Sequence, residues 1–398
     1  MRDLQPLIES LLPELVELRH ELHRYPELAY QEVETAARIV SRLETIPDLE
    51  LRTGVAGTGI VATLGATRPG RCVALRADMD GLPIQEQGDH AHRSTVPGKM
   101  HACGHDGHVT CLVGAVQVLA QLGDELQGPV KFLFQPAEEQ GAGGRRMCEE
   151  GVLDDPDVGA IFGLHAWPEL EQGQVGLRSG GFLASADQLR IAVQGVGSHA
   201  AYPHQGVDTV LVAAHIIVAL QSIAARNTAP LDSVVVTIAQ IHGGTADNII
   251  PGQVQLSGTV RTLNSETRKL TFERIERIAR ETACAYGAVA EVTIDAGYPA
   301  LVNDHAATDY LRRVAAANDA AVAVDIDPVM GAEDFAFYAQ RVPASFYALG
   351  IRPVGRVSCP SLHQPDYDFP DDAIRVGVGM HVEIVRRFWR DGPQSHPA

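Results

Sequence analysis

The sequence contains few cysteines, fewer basic than acidic residues and no long uninterrupted apolar segment. Its six cysteines lack the regular spacing of a disulfide framework, which predicts a reducing compartment. With 32 basic and 50 acidic residues the net charge is −18, so neither nucleic acid nor an anionic membrane surface is expected as the main partner. No apolar run has the length of a membrane span, and the N-terminal segment reads as an acidic amphipathic helix rather than a signal peptide. We therefore expect a cytoplasmic protein.

The length of 398 residues predicts two domains rather than one continuous core. In the first part of the chain, short apolar segments alternate with helical patterns, which indicates an α/β unit with a mixed, mostly parallel sheet and flanking helices. Buried strands are expected at 71–75, 129–134 and 160–164. In sheets of this type, sites form beyond the carboxyl ends of the strands.

From about residue 184 the pattern changes to strand, helix, two strands, helix and strand. This βαββαβ order is typical of a small two-layer sandwich. After residue 296 the alternation of helices and strands returns. The sequence therefore predicts a discontinuous first domain at 1–183 and 297–398, with a smaller domain inserted at 184–296.

The segment MHACGHDGH, residues 100–108, contains three histidines, a cysteine and an aspartate within nine residues. Thiolate and imidazole groups are preferred ligands of a borderline-soft divalent ion such as zinc. The two glycines let the loop turn tightly enough to direct several side chains to one point. Cys103 also has an ordinary interpretation as a small buried apolar residue. Its position between His101 and His105 in a glycine-containing loop favours a metal ligand.

Further acids and histidines follow the predicted strands. Asp78, Glu138, Glu139 and His165 each come directly after a strand, and His363 lies in a proline-rich loop. Taken singly, adjacent acids are often a solvated turn, and such histidines more often have structural roles. Because the carboxyl ends of parallel strands meet at one edge of a sheet, we expect the strand-end residues to converge there.

The adjacent acids Glu138 and Glu139 suggest a division of labour beside a metal. One carboxylate ligates the ion, and its neighbour takes a proton from a water molecule that the metal activates. This assignment depends on the predicted metal-binding loop at residues 100–108, because two adjacent acids alone would not indicate a catalytic site.

Three residues of the inserted domain are candidates for substrate contacts. His199 lies in a glycine-rich turn and can donate to a developing oxyanion. Asn248 and Arg261 can bind a substrate carboxylate, since Arg is suited to bidentate capture. An ordinary surface turn and structural roles are the alternatives.

Taken together, these motifs resemble the aminoacylase/carboxypeptidase metallopeptidase family. The similarity is greatest to its amidohydrolase branch, which includes hippurate hydrolases, N-acyl-amino-acid deacylases and plant auxin-conjugate hydrolases. The matching segments occur in the family's order and span nearly the whole chain: LRHELHRYPELAYQE, LRADMDGLPIQE, MHACGHDGHVTCLVGA, FLFQPAEEQGAGG, GLHAWP, SHAAYPH, ADNIIPG, GTVRTL, GAEDFAFY and LHQPDYDF. One departure is Ser198, which replaces the common glycine before His199.

The resemblance implies a site with two divalent metal ions, Zn, Mn, Co or Ni. The implied ligands are Cys103, His105, Glu139, His165 and His363, with Cys103 bridging the two ions. By the same resemblance, Glu138 is the general base, and Asp78 orients a metal-ligand histidine. His199 polarises the scissile carbonyl, and Asn248 and Arg261 meet the substrate carboxylate.

The expected function is metal-dependent hydrolysis of the amide bond of a small-molecule N-acyl amino acid, such as an N-acetyl or N-benzoyl derivative. The products are a carboxylate and a free amino acid. The resemblance also implies a homodimer formed through the small domain, which acts as a lid. Two alternatives remain open: a dipeptidase or aminopeptidase of the same family, and a non-catalytic binding protein on the same fold.

Overall fold

The computed structural model describes residues 3–318 and 320–393, and the chain forms two compact units. The first unit comprises Met1–Gly180, Asn303–Asp327 and Asp334–Ala398, and the second comprises Gly181–Val302 and Pro328–Glu333. The segment 328–333 therefore lies outside the unit in which the sequence division at 297 placed it. Its backbone explains this, because Val329 N donates to Phe182 O at 2.9 Å and Ala184 N donates to Gly331 O at 2.8 Å.

Helices and strands alternate through the first unit and again through the second. The α-helices among the described residues are α1 (Gln5–Arg24), α2 (Val33–Leu43), α3 (His105–Gln121), α4 (Gly143–Glu149), α5 (Thr209–Leu220), α6 (Ser265–Ala285), α7 (His305–Ala316), α8 (Ala336–Ala339) and α9 (Asp372–Asp391). The strands are β1 (Leu49–Val55), β2 (Gly59–Leu64), β3 (Cys72–Asp78), β4 (Val130–Gln135), β5 (Val158–Glu171), β6 (Gln174–Leu177), β7 (Gly180–Leu183), β8 (Ala186–Gln194), β9 (Ser198–His199), β10 (Val234–Gly243), β11 (Ile249–Ile250), β12 (Gln253–Thr262), β13 (Val289–Tyr298), β14 (Leu301–Asn303), β15 (Val322–Asp325) and β16 (Ala344–Arg352).

The first unit is built on an eight-stranded sheet in the order β1-β2-β4-β3-β5-β16-β6-β15. Strands β4, β3, β5 and β16 form a parallel centre, and β15 pairs in parallel with β6. The pairs β1–β2, β2–β4 and β16–β6 are antiparallel. This arrangement confirms the predicted mixed, mostly parallel sheet with flanking helices.

The register of the parallel strands positions the site. Asp78 lies opposite Gln135, so β3 and β4 end at the same level, and the turn after β4 emerges beside Asp78. Strand β5 is longer than predicted, and His165 lies inside it, opposite Ala348 of β16. The sequence prediction covered only the apolar run 160–164, although the strand continues through Pro168, a residue that is disfavoured inside a sheet. The pairing tolerates Pro168, with a register irregularity further along between Gly350 and Arg352.

Helix α3 is the central helix of the first unit and is buried along most of its length. Burial of a large apolar side chain on this helix, Leu112 for example, contributes about 1.5–3 kcal/mol relative to exposure. Gly104 is the N-cap residue directly before the helix, and its φ of 86° is in the left-handed region. A Cβ atom there would lie 2.6 Å from the hydroxyl of Tyr367. Glycine is therefore needed at the point where the chain turns between Cys103 and His105.

The second unit has a four-stranded antiparallel sheet in the order β10-β12-β8-β13, with α5 and α6 packed on it. The predicted βαββαβ order is present, with the short pair β9–β11 added. Both helices begin at a side-chain cap. Asp208 accepts from Val210 N and Leu211 N, and Asn264 accepts from Thr267 N.

One helical stretch corrects an expectation about membrane-spanning length. Residues Thr209–Asn227, which include α5, are long and apolar enough to cross a membrane by length and composition alone. In this fold Val212, Ile216 and Leu220 of that stretch are buried in the core of the second unit. A single helix that meets this test of length and composition is weak evidence for a membrane span.

Candidate metal centre

The five predicted metal ligands lie together in the first unit. Cys103 Sγ is 3.4 Å from His165 Nε2 and 3.3 Å from His363 Nε2. Glu139 Oε1 is 3.1 Å from His363 Nε2 and 3.9 Å from His105 Nε2. The thiol and the carboxylate thus form the middle of the cluster, and each lies next to two imidazoles. Cys103 and His105 are buried, whereas His363 is exposed, so the cluster is accessible from one side.

Unpartnered atoms in this cluster fit a bound cation. His105 Nε2 and Glu139 Oε1 are buried and have no partner with hydrogen-bond geometry. Leaving such a group unsatisfied costs about 1–3 kcal/mol, and a metal ion would satisfy both atoms. Thiolate, imidazole and carboxylate groups together suit a borderline divalent transition ion. The residues present therefore fit a metal of this class.

Electrostatics in the cluster favour added positive charge. Burial and the carboxylates of Glu139 and Glu138 raise the pKa of the Cys103 thiol well above its usual range. Burial lowers the pKa of His105, but Asp78 and Asp80 outweigh it and raise that pKa to about 10. Carboxylates contribute to both shifts, so negative charge surrounds these two ligands. A divalent cation would oppose it and favour the thiolate and the neutral imidazole.

Asp80, which the sequence analysis left unassigned, contacts both parts of the site. His105 Nδ1 lies 2.8 Å from the backbone oxygen of Asp80 and 3.3 Å from its Oδ1. The two carboxylate oxygens accept hydrogen bonds from Glu138 N at 3.1 Å and Glu139 N at 3.0 Å. Asp80 therefore orients a predicted ligand and also fixes the turn that carries the predicted base.

The closest histidine to Asp78 is His108, which is not one of the predicted metal ligands. Asp78 Oδ1 lies 2.6 Å from His108 Nδ1, whereas Asp78 Oδ2 is 3.8 Å from His105 Nε2. His108 Nε2 in turn accepts a hydrogen bond from Ala166 N at 2.8 Å. Both nitrogens of His108 are thus engaged, so this histidine links α3 to β5 and is not available as a ligand.

A buried arginine supports the two carboxylates behind the site. Arg76 Nη1 donates to Asp78 Oδ2 at 2.7 Å, and Nη2 donates to Asp334 Oδ1 at 2.9 Å. Asp334 also accepts from Gly144 N at 2.8 Å, just after the turn that holds the predicted base. Buried charges are tolerated when they are paired in this way. The segment GAEDF gave the sequence signal for Asp334, but its partner Arg76 carried no signal beyond its place in a buried strand.

The turn from Ala137 to Glu139 is fixed by two buried carboxylates. Ala137 has a φ of 55°, and its backbone N–H donates to Glu32 Oε1 at 2.9 Å. With the two bonds to Asp80, three successive backbone N–H groups are held by acidic side chains. The side chain of Glu138 itself is buried. This arrangement fixes the backbone from which both predicted functional carboxylates project.

The three predicted substrate-contacting residues lie in the second unit. His199 is paired with Ile249 between β9 and β11, and Ala200 N donates to the backbone oxygen of Asn248 at 3.0 Å. The Nδ1 of His199 accepts from Ala201 N at 3.0 Å. A neutral ring therefore carries its proton on Nε2, which is the form that can donate to an oxyanion. Arg261 lies on β12 and makes no ion pair within the described residues.

The chain is similar along nearly its whole length to known proteins. The family model described as Peptidase family M20/M25/M40 matches residues 74–387. N-acetyl-L-cysteine deacetylase of Bacillus subtilis is 40% identical over 388 residues, which cover 98% of this chain and 91% of that protein. IAA-amino acid hydrolase ILR1-like 4 of Arabidopsis thaliana is 38% identical over 381 residues, which cover 94% of this chain and 85% of that protein.

This chain is also similar to a solved structure of a protein from the M20 family. The crystal structure of the Bacillus subtilis YXEP protein, described as a dinuclear metal binding peptidase from the M20 family, matches with a TM-score of 0.85 at 34% identity. The match covers 96% of this chain and 99% of that one.

Proposed function

The chain belongs to peptidase family M20/M25/M40, and we propose that it hydrolyses the amide bond of N-acyl amino acids to a carboxylate and a free amino acid. One observation carries this proposal. A buried glutamate, Glu138, directly precedes Glu139 in the Cys103–His165–His363 cluster, and Asp80 fixes the backbone of both glutamates. The names of the relatives, an N-acetyl-L-cysteine deacetylase and an IAA-amino acid hydrolase, support the N-acyl amino acid class.

Two divalent ions, drawn from Zn, Mn, Co and Ni, would be held by Cys103, His105, Glu139, His165 and His363. The unpartnered His105 Nε2 and Glu139 Oε1 support this ligand set, as does the dinuclear YXEP protein. When bound, such ions polarise an acyl carbonyl and lower the pKa of water. Cys103 contacts two other members of this set, His165 and His363, which supports its place among the ligands.

The protein's own groups then move the protons. Glu138 takes a proton from the attacking water and delivers it to the leaving amine, so it acts first as base and then as acid. His199 donates its Nε2 proton to the oxyanion that develops on the scissile carbonyl. Asn248 and Arg261 bind the carboxylate of the amino acid, for which the guanidinium is suited. Asp78 keeps His108 in place, and Asp80 does the same for His105.

We assign catalysis to the first unit, and closure of the site and dimer formation to the second. Apolar residues on α5 support a homodimer through the second unit, because Val210, Leu211 and Val218 are exposed. Such residues gain by burial between two copies. All six cysteines are free, which supports a reducing, cytoplasmic location.

A substrate comparison tests the proposal. The protein is reconstituted with each of the four metals and assayed on N-acetyl, N-benzoyl and N-indoleacetyl amino acids and on dipeptides with a free amino group. We expect turnover of one or more acylated substrates at a higher kcat/KM than that of any dipeptide. Turnover of free-amine dipeptides alone would show a dipeptidase or aminopeptidase instead. No turnover with any metal would indicate a binding protein.

A further inference from the structure

A second group of metal-ligating side chains lies in the first unit outside the candidate metal centre. It joins His23 on α1 to Glu86 and His90 in the segment that follows β3. One ligand atom from each of the three residues lies within 4.8 Å of the other two. None of the three residues belongs to the five predicted ligands of the catalytic site, and the proposed reaction assigns them no role.

The donor atoms face one another at short range. His90 Nε2 lies 2.7 Å from Glu86 Oε1, and His23 Nε2 lies 3.3 Å from the same oxygen. His90 Nε2 is nevertheless a buried atom without a partner of hydrogen-bond geometry. In the catalytic cluster, His105 Nε2 and Glu139 Oε1 are likewise buried without a hydrogen-bond partner, at the longer separation of 3.9 Å. His23 Nε2 is hydrogen-bonded to Glu86 Oε1, so His90 Nε2 is the donor atom of this group that is left for an ion.

Neighbouring groups hold two of the three side chains in position. His23 Nδ1 lies 2.8 Å from Asp106 Oδ2, and Glu86 Oε2 accepts from Ser94 N at 2.6 Å. A carboxylate on the far nitrogen of a histidine fixes its tautomer and raises its basicity as a ligand, a common feature of metal sites. Asp106 is paired with Arg19, whose Nη1 lies 3.7 Å from its Oδ2, so a divalent cation would balance mainly the charge of Glu86.

A further imidazole lies beside this group. His101 is almost completely buried, and neither of its ring nitrogens has a hydrogen-bond partner. Its ring centre is 6.4 Å from that of His23, close to the 6.0 Å between His105 and His165 in the catalytic cluster. His101 therefore places an imidazole without a hydrogen-bond partner beside His23.

We infer that His23 Nε2, Glu86 Oε1 and His90 Nε2 form a further binding site for a divalent transition ion, of which Zn²⁺ is the best match to two imidazoles and a carboxylate. The ion would connect α1 to the segment after β3. The side chain of His90 is 19% exposed, which gives the ion a path from solvent.

The alternative group of His90, His92 and Asp368 does not suit a cation. The guanidinium of Arg19 already lies there, with Nη1 donating to Asp368 Oδ1 at 2.6 Å and Nη2 2.9 Å from His92 Nε2. A metal ion would be repelled by this fixed positive charge. His92 is therefore a matched control for His90. It lies in the same segment, but its Nε2 is already in contact with the guanidinium of Arg19.

Metal counting tests the inference. The full-length protein is stripped with a chelator, reloaded with excess zinc and desalted, and zinc per chain is measured by mass spectrometry. We expect His90→Gln to hold about one equivalent less than the unsubstituted protein, and His92→Gln to hold the same amount. In a Cys103→Ser background, His90→Gln should again remove about one equivalent. The site is thereby counted independently of catalysis and of the proposed function.

Equal zinc content in His90→Gln and the unsubstituted protein would overturn the inference and would mean that a proton alone lies between His23 and its carboxylates. A cobalt spectrum provides a second measurement. Cobalt bound in Cys103→Ser should give visible bands of imidazole and carboxylate sites without thiolate charge transfer, and His90→Gln should lower their intensity by the share of one bound ion. An unchanged intensity would likewise contradict the assignment.

Discussion

The carboxylate of Asp80 accepts the backbone N–H of Glu138 at 3.1 Å. The same side chain holds Glu139 N at 3.0 Å and lies 3.3 Å from His105 Nδ1. One buried acid thereby controls the position of a predicted base and of two predicted ligands. Because the three contacts diverge from a single carboxylate, a neutral replacement cannot preserve all of them.

Asp80→Asn is therefore expected to lower both kcat and metal affinity by about 10–100-fold, the usual cost of losing a group that orients a ligand. An amide has one acceptor oxygen, so one of the two backbone N–H groups loses its partner. Steady-state kinetics on an N-acetyl amino acid and a zinc competition titration measure the two effects. Wild-type values for both would show that Asp80 has no such role.

Glu138→Gln is expected to lower kcat by about 100- to 10,000-fold, because the amide cannot accept the proton of water. Metal content should stay at the level of the unsubstituted protein, since Glu138 is not among the proposed ligands. Glu149→Gln, a change of an exposed carboxylate on α4, is the control and should leave kcat unchanged. If hydrolysis by Glu138→Gln matched that of the control, Glu138 would not be the base.

Metal removal should abolish turnover, and a divalent transition ion should restore it. Cys103→Ser should bind metal more weakly by about 10-fold or more, because a hydroxyl replaces the soft thiolate. Affinity should also fall as the pH is lowered, since the buried thiol must lose its proton to bind. Cys148→Ser, at a half-buried position on α4, should bind metal normally. Equal loss in both variants would indicate a general destabilisation.

The positions and ends of the central strands were accessible to sequence reasoning because burial imposes a simple pattern on them. The central strands β3 and β4 are fully buried and consist mainly of apolar residues, and their ends predicted an edge at Asp78 and Glu138. The five predicted ligands do lie together, although their assignment came from the resemblance to a family. Spacing joined only Cys103 and His105, and the argument from strand ends added Glu139 and His165.

Other features depended on tertiary contacts that leave no local signal. Glu32 and Asp80 are ordinary acids in the sequence, and only the fold brings them to the backbone of Ala137 to Glu139. The segment 328–333 joins the second unit through hydrogen bonds to Phe182 and Ala184, which lie about 150 residues earlier in the sequence. Such distant pairings are possible because the entropic cost of closing a loop grows only slowly with its length. Periodicity within a short window cannot report such pairings.

Glu32 is expected to act on the reaction through the turn that it holds. Glu32→Leu removes the acceptor of Ala137 N and should lower kcat by up to about 100-fold with KM nearly unchanged, because a small displacement of Glu138 impairs proton transfer. Glu32→Gln retains an acceptor oxygen and should recover much of the loss. Thr58→Val removes only the hydroxyl that donates to Glu32 Oε2 and serves as the control. Unchanged kcat in Glu32→Leu would contradict the positioning role.

The last prediction concerns acid stability and the ion pair between Arg19 and Asp368. Burial raises the pKa of Asp368, but the charge of Arg19 and a hydrogen bond from His92 lower it below 3.8 overall. Because the folded pKa is below the unfolded one, the carboxylate stabilises the protein at pH values above 3.8. That contribution is lost as the pH falls through the folded pKa.

Asp368→Asn should accordingly reduce the free energy of unfolding at neutral pH by about 1 kcal/mol, since the buried Arg19 keeps Asp371 as a partner. Urea unfolding at neutral pH and near pH 3 measures the difference between the variant and the unsubstituted protein. The difference should shrink at the lower pH, where Asp368 begins to be protonated in the native protein as well. A difference that stayed constant or grew on acidification would show that the carboxylate charge is not the stabilising group.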